Sequence, residues 1–118
     1  MIYHFCPRAD WAAARASGVY EAESLGTQGF IHFSPLDQVH VSATLRARGR
    51  TDLVVLQVDE ARLAEPAVWE DGDPPHPDGR LFPHVYGPVP VAAVVAVHDL
   101  PPNPDGSFAP LPQPGAAS

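Results

Sequence analysis

DLVVLQV, residues 52–58, is the stretch on which the fold turns. It is a nearly unbroken run of aliphatic and β-branched residues, which suits a central strand covered on both faces, because polar alternation disappears where neither face meets water. Residues 91–97, VAAVVAV, read the same way. Upstream, Ile2 to Cys6 forms a short apolar strand, and a helix follows from Pro7 to Ser17. Pro7 suits a first helical turn, Asp10 complements the helix dipole, Trp11 and Ala14 share a buried stripe, and Gly18 provides the stop. After a loop from Glu21 to Gly29 comes GFIHFSPLDQV, residues 29–39, where Phe30, His32 and Ser34 share one strand face and Ile31 and Phe33 the other. Ser34 also starts a Ser-Pro-Leu-Asp cap, and the helix it opens carries Leu36, Val39, Ala43 and Ala47 before ending near Arg48-Gly49.

Downstream of the central run lie a short segment around Ala61 to Leu63 and a strand from Ala67 to Glu70. A polar loop follows, DGDPPHPDGR at residues 71–80, and then LFPHVYG at residues 81–87. Pro83 cannot donate to a ladder, so LFPHVYG is expected at an edge or as an irregular strand. Helices early and strands late specify an α+β fold with two helices, rather than an alternating parallel sheet. Residues 1–100 are expected to form a single globular domain. Residues 101–118 contain six prolines and few core-forming groups, and are expected to be an extended or disordered tail.

Composition narrows the function. A formal charge of −7, with seven basic residues that are all Arg, repels phosphate backbones, so no nucleic-acid partner is expected. The N-terminus lacks a basic stretch followed by an apolar run, and no segment approaches the roughly 20 apolar residues needed to span a bilayer, so no membrane association is expected. Cys6 is the lone cysteine and cannot form an internal disulfide, which points to a cytoplasmic setting. The oligomeric state is not set by the sequence.

Four apolar segments are interrupted by polar groups: IYHF by His4, GFIHFS by His32 and Ser34, VWE by Glu70, and LFPHVYG by His84 and Tyr86. Burying such groups costs free energy unless each finds a partner or a ligand, so they are expected either to bond one another or to converge on one pocket. An N-cap role accounts for Ser34 by itself, and a solvated strand end accounts for Glu70. His40, His76 and His98 fall on a helix surface, in a loop and at a strand end, where solvent accounts for them.

IYHFCPRADW, GFIHFS, VWE and FPHVYGPVP, in this order over about residues 1 to 100, resemble the signature of the domain of unknown function 952 family. The fold of that family resembles the ADP-ribosyltransferase superfamily, a split pair of small sheets with flanking helices and an NAD site in the cleft between them. The resemblance implies NAD or a related nucleotide as the small-molecule ligand, with ADP-ribosyl transfer or glycohydrolase chemistry. Glu70 and His32 would be the catalytic pair, with Glu70 stabilising an oxocarbenium-like state. Ser34, His84, Tyr86 and His4 would bind substrate, Tyr86 packing on the nicotinamide. Tyr86 does not align securely with the tyrosine of that superfamily, and His84 is the other candidate for its place. Pyrophosphate would need Arg8, Arg80 or backbone N–H groups. Two alternatives stand beside this reading. One is a metal site built from His4, His32, His84 and Glu70. The other is a non-catalytic binding domain in which the same groups form a satisfied polar network.

Overall fold

The computed structural model describes residues 1–72 and 74–112. The run that decides the fold is strand β4, Leu53–Val58, whose Leu53 to Leu56 and Val58 are buried. It lies between β1, Ile2–Pro7, and β8, Val94–Asp99, in an antiparallel sheet of order β1-β4-β8. A second sheet pairs β2, Val19–Tyr20, with β7, Val89–Pro90. The third has the order β3-β6-β5, with β3 at Ile31–His32, β6 at Leu81–Val85 and β5 at Val68–Asp71. Tyr3 and Ser34 join the first and third sheets through reciprocal backbone hydrogen bonds of 2.9 and 2.7 Å.

Helix α1, Arg8–Ser17, covers one face of the first sheet and stops at Gly18, whose φ of 91° places it in the left-handed region that suits glycine. The core on this side includes Ile2, Cys6, Ile31, Phe33, Leu56 and Val85. Helix α3, Val39–Ala47, covers the opposite face, where Tyr3, Val39, Ala43, Val55, Leu100 and Phe108 meet. The class is α+β, with three α-helices among the described residues rather than two: Glu23–Thr27 forms the short helix α2 inside the expected loop.

Several expectations change. LFPHVYG is not an edge, because β6 is the middle strand of its sheet. Pro83 is tolerated there because its carbonyl accepts the Phe33 N–H at 3.0 Å just past the end of β3. In an antiparallel strand the N and C=O of one residue point the same way, so only one ladder bond is lost. Residues 91–97 are not a doubly covered strand: Val91–Ala93 forms a 3-10 turn, and β8 is an edge with alternating exposure. Ser34 does not cap α3, which starts at Val39 after a turn; its backbone is used for the link to Tyr3 instead.

The boundary near Leu100 also moves. Phe108 is buried in the α3 core, its N–H donates to Thr44 Oγ1 at 3.0 Å, and Leu111 packs alongside. The turn that brings it back passes through Gly106, with φ of 86°, where an added Cβ would lie 2.9 Å from Cγ of Arg48. Residues 113–118 of the expected tail lie outside the described residues. Among the described residues no helix is long and apolar enough to cross a membrane.

Candidate functional site

The open edge of β1, the end of β3 and one side of α3, from Val41 to Arg46, surround a cavity of about 280 Å³ that the loop around Pro74–Pro77 closes on its far side. His4, His32, Ser34 and His84 all line it. Register explains how two of them meet: His32 and His84 are directly paired across β3 and β6, so their rings share one face of the sheet, 5.2 Å apart between centroids.

Glu70 is on β5 and shares that face, since Val68 pairs with His84 and Glu70 with Phe82. It does not line the cavity but stands behind His84. His84 Nδ1–H donates to Glu70 Oε1 at 2.7 Å, and the Tyr86 hydroxyl donates to the same oxygen. With Nδ1 committed, Nε2 is the ring atom of His84 left for a ligand. The hydrogen bonds from Tyr86 and then His84 hold the Glu70 carboxyl below the usual range, and the same contact pushes the Tyr86 phenol up. Tyr86 is also outside the cavity lining, which separates it from the ring-packing place expected for it.

His4 is a different kind of histidine. Its Nδ1–H donates to the His32 carbonyl at 2.5 Å, which fixes the tautomer, and Nε2 then accepts from the Tyr20 hydroxyl at 2.7 Å. The Tyr20 hydroxyl also lies near the Cys6 thiol. Phe5, Tyr20 and Phe33 crowd the imidazole, and burial pushes its pKa down to about 4 in spite of the carbonyl contact. Burial likewise raises the Cys6 thiol to about 12, so it is an inert core group.

His32 Nε2–H donates to Gln28 Oε1 at 2.6 Å, which ties the strand back to the residue closing α2. Ser34 meets Ser42 of α3 at 3.3 Å between hydroxyl oxygens. Of the guanidiniums expected to meet phosphate, Arg8 pairs with Asp99 at 2.7 Å and Arg80 forks onto both oxygens of Asp37 at 2.6 and 2.9 Å. Arg46 instead contributes positive charge to the lining. Among the described residues no group of three or more His, Cys, Asp or Glu side chains is arranged to hold a metal ion. Both nitrogens of His4 are already bonded, which removes a ligand from the metal alternative.

The sequence reading passed over one feature that depends on strand pairing. Tyr3 turns its N–H and C=O away from β4 toward Ser34, so Phe5, two residues on, turns its own pair the same way. Phe5 lines the cavity, and among the described residues no hydrogen bond meets its N–H or C=O. Phe30 was also missed as a site residue, although period-two alternation placed it on the face of His32. Its ring stacks on His84 and touches those of His32 and Tyr86.

A family model described as protein of unknown function (DUF952) matches residues 5–97. The crystal structure of protein CC0527 from Caulobacter crescentus is similar, with 36% identity over 92% of each chain and a TM-score of 0.81. Its solution NMR structure is 34% identical over 90% of this chain and 89% of that one, with a TM-score of 0.70. No curated protein matches the chain.

Proposed function

Because the chain belongs to the DUF952 family of proteins of unknown function, its chemistry has to be read from its own cavity, and we propose that this cavity binds the nicotinamide end of NAD or a related nucleotide. The observation that carries the reading is the unpaired N–H and C=O of Phe5 beside the cavity. A backbone donor and acceptor that point the same way complement a primary carboxamide, which offers one acceptor and one donor side by side. The volume, at the small end of ligand pockets, suits a nicotinamide with its ribose rather than an enclosed dinucleotide. The likeness to the ADP-ribosyltransferase fold is part of the same proposal, supported by the site's place between the first and third sheets.

In this reading the acting group is His84, with Glu70 working through it. A carboxylate on Nδ1–H keeps the lone pair on Nε2, the arrangement of a positioned general base. For hydrolysis, the bond between the ribose carbon and the nicotinamide nitrogen breaks, and its electron pair leaves on nicotinamide. Water attacks the ribose carbon, and its proton goes to His84 Nε2. Glu70 then balances the imidazolium, in place of direct contact with the ribose. His32 and Ser34 contact the ligand from the wall they share with His84.

Thermal unfolding with NAD, ADP-ribose and nicotinamide tests this, together with an assay for released nicotinamide. The expected result is a rise of several degrees with NAD and a smaller one with nicotinamide, both abolished in His84→Ala. No response to any of the three compounds overturns the reading.

A further inference from the structure

We propose that Phe30 is the positioning residue of His84: its ring lies on one face of the imidazole and holds Nδ1 on Glu70, so that Nε2 keeps its direction into the cavity. The ring centroids are 4.3 Å apart with an interplanar angle of 26°, a stacked pair. Of the other aromatic rings, that of His32 meets the imidazole edge-on, at 75°. Glu70 restrains one nitrogen, but a single hydrogen bond does not fix the plane of a ring, and a flat neighbour does. Phe30 also sits 4.7 Å from His32 and 5.2 Å from Tyr86, so one side chain braces both the histidine and the second donor to Glu70. Its place in the fold allows this, because it immediately precedes β3 and alternates onto the face where His32 and His84 pair. When His84 takes up a proton, the same aromatic face lies against a cation at a distance where such contacts are attractive.

The inference rests on His84 being the acting group, and its test needs no ligand, so it stands or falls separately from the nicotinamide reading. Nitrogen NMR of the histidine rings in the full chain gives the readout. In the parent protein His84 is expected as a single tautomer protonated at Nδ1. In Phe30→Leu the ring turns about Cβ–Cγ, Nδ1 leaves Glu70, and both tautomers are populated. His4, held independently by the His32 carbonyl and Tyr20, stays a single form in the same spectrum. Phe30→Tyr keeps the flat face and restores the single tautomer of His84. Should Phe30→Leu fail to fold, Phe30→Met fills comparable space without a flat face and gives the mixed state. A His84 that remains one Nδ1-protonated tautomer in the Leu or Met variant overturns the proposal, as does a Tyr variant that stays mixed.

Discussion

The two faces of the sheet β1-β4-β8 are built on different principles. Under α3 the core is almost entirely hydrocarbon, with Val39, Ala43, Leu53, Val55, Leu100 and Phe108 in contact. Under α1 the apolar cluster contains Tyr20, which leads by hydrogen bonds to His4 and the His32 carbonyl beside the cavity. The first face stores stability in contact area, which tolerates imprecise chemistry but not lost volume. The second stores it in a directed chain of donors and acceptors, where removing one member strands its neighbours. His84, on the third sheet, differs from both, since only one of its nitrogens is committed.

Variants can break or sharpen this contrast, and their effects on stability should fall in order. Phe108→Ala should be the most costly of the substitutions, about 3–5 kcal/mol, because it empties a buried aromatic site. Calorimetry should show melting lowered by roughly 10–20 °C, without change in the His84 tautomer. A chain cut after Leu100 should lose at least as much. If either change is harmless, the α3 core does not depend on the returning segment.

His4→Leu keeps bulk but leaves the Tyr20 hydroxyl and the His32 carbonyl without their partner, at a cost of about 2–3 kcal/mol. Its signature is pH. The folded pKa of His4 is about 4 against an unfolded value near 6.5, so between these limits the unfolded chain binds the extra proton. His4 therefore lowers stability as pH falls from about 6.5 to about 4, by up to roughly 3 kcal/mol, and adds no further slope below that. Urea unfolding at closely spaced pH values should show this slope in the parent and a flatter profile in His4→Leu. An equal slope in both would assign the acid sensitivity to other groups.

Glu70→Gln should change stability little, since the carboxylate is more than a third exposed. It should retain nicotinamide binding while slowing nicotinamide release by about 100-fold or more, because the amide cannot balance an imidazolium. Release at the parent rate would remove Glu70 from the mechanism. Tyr86→Phe should have the smallest effect on stability, because the side chain is exposed. Carbon NMR should then find the Glu70 carboxyl titrating nearer its usual range, since the first of its two donors is gone.

What could be read in advance follows from how local each signal is. DLVVLQV declared a central strand because double burial is written in the residues themselves, and GFIHFS and VWE carried their face alternation openly. The rank of LFPHVYG could not be read, because Pro83 is excluded from a middle strand only where a partner strand needs the N–H it lacks, and β3 ends there. Helix α2 was hidden by Gly26 and by too few residues to show a period. Phe108 is one aromatic among prolines, a weak cue until the turn at Gly106 directs it inward. Within the site, His4, His32, Ser34 and His84 were legible as polar interruptions, and Glu70 and Tyr86 were legible as neighbours of that group. Their order, with Glu70 behind His84 and not facing the cavity, depends on pairing register. So does the open edge at Phe5.

The burial of Phe108 also sets a schedule for synthesis. β1 is made first, yet its partner β4 emerges some fifty residues later, and the closing strand β8 and Phe108 come later still. Until residue 108 has cleared the ribosome exit tunnel, the nascent chain holds an apolar helix face and a β4 edge with nothing against them. Such surfaces are what holding chaperones bind. Docking of Phe108 is thus the contact that ends the exposure.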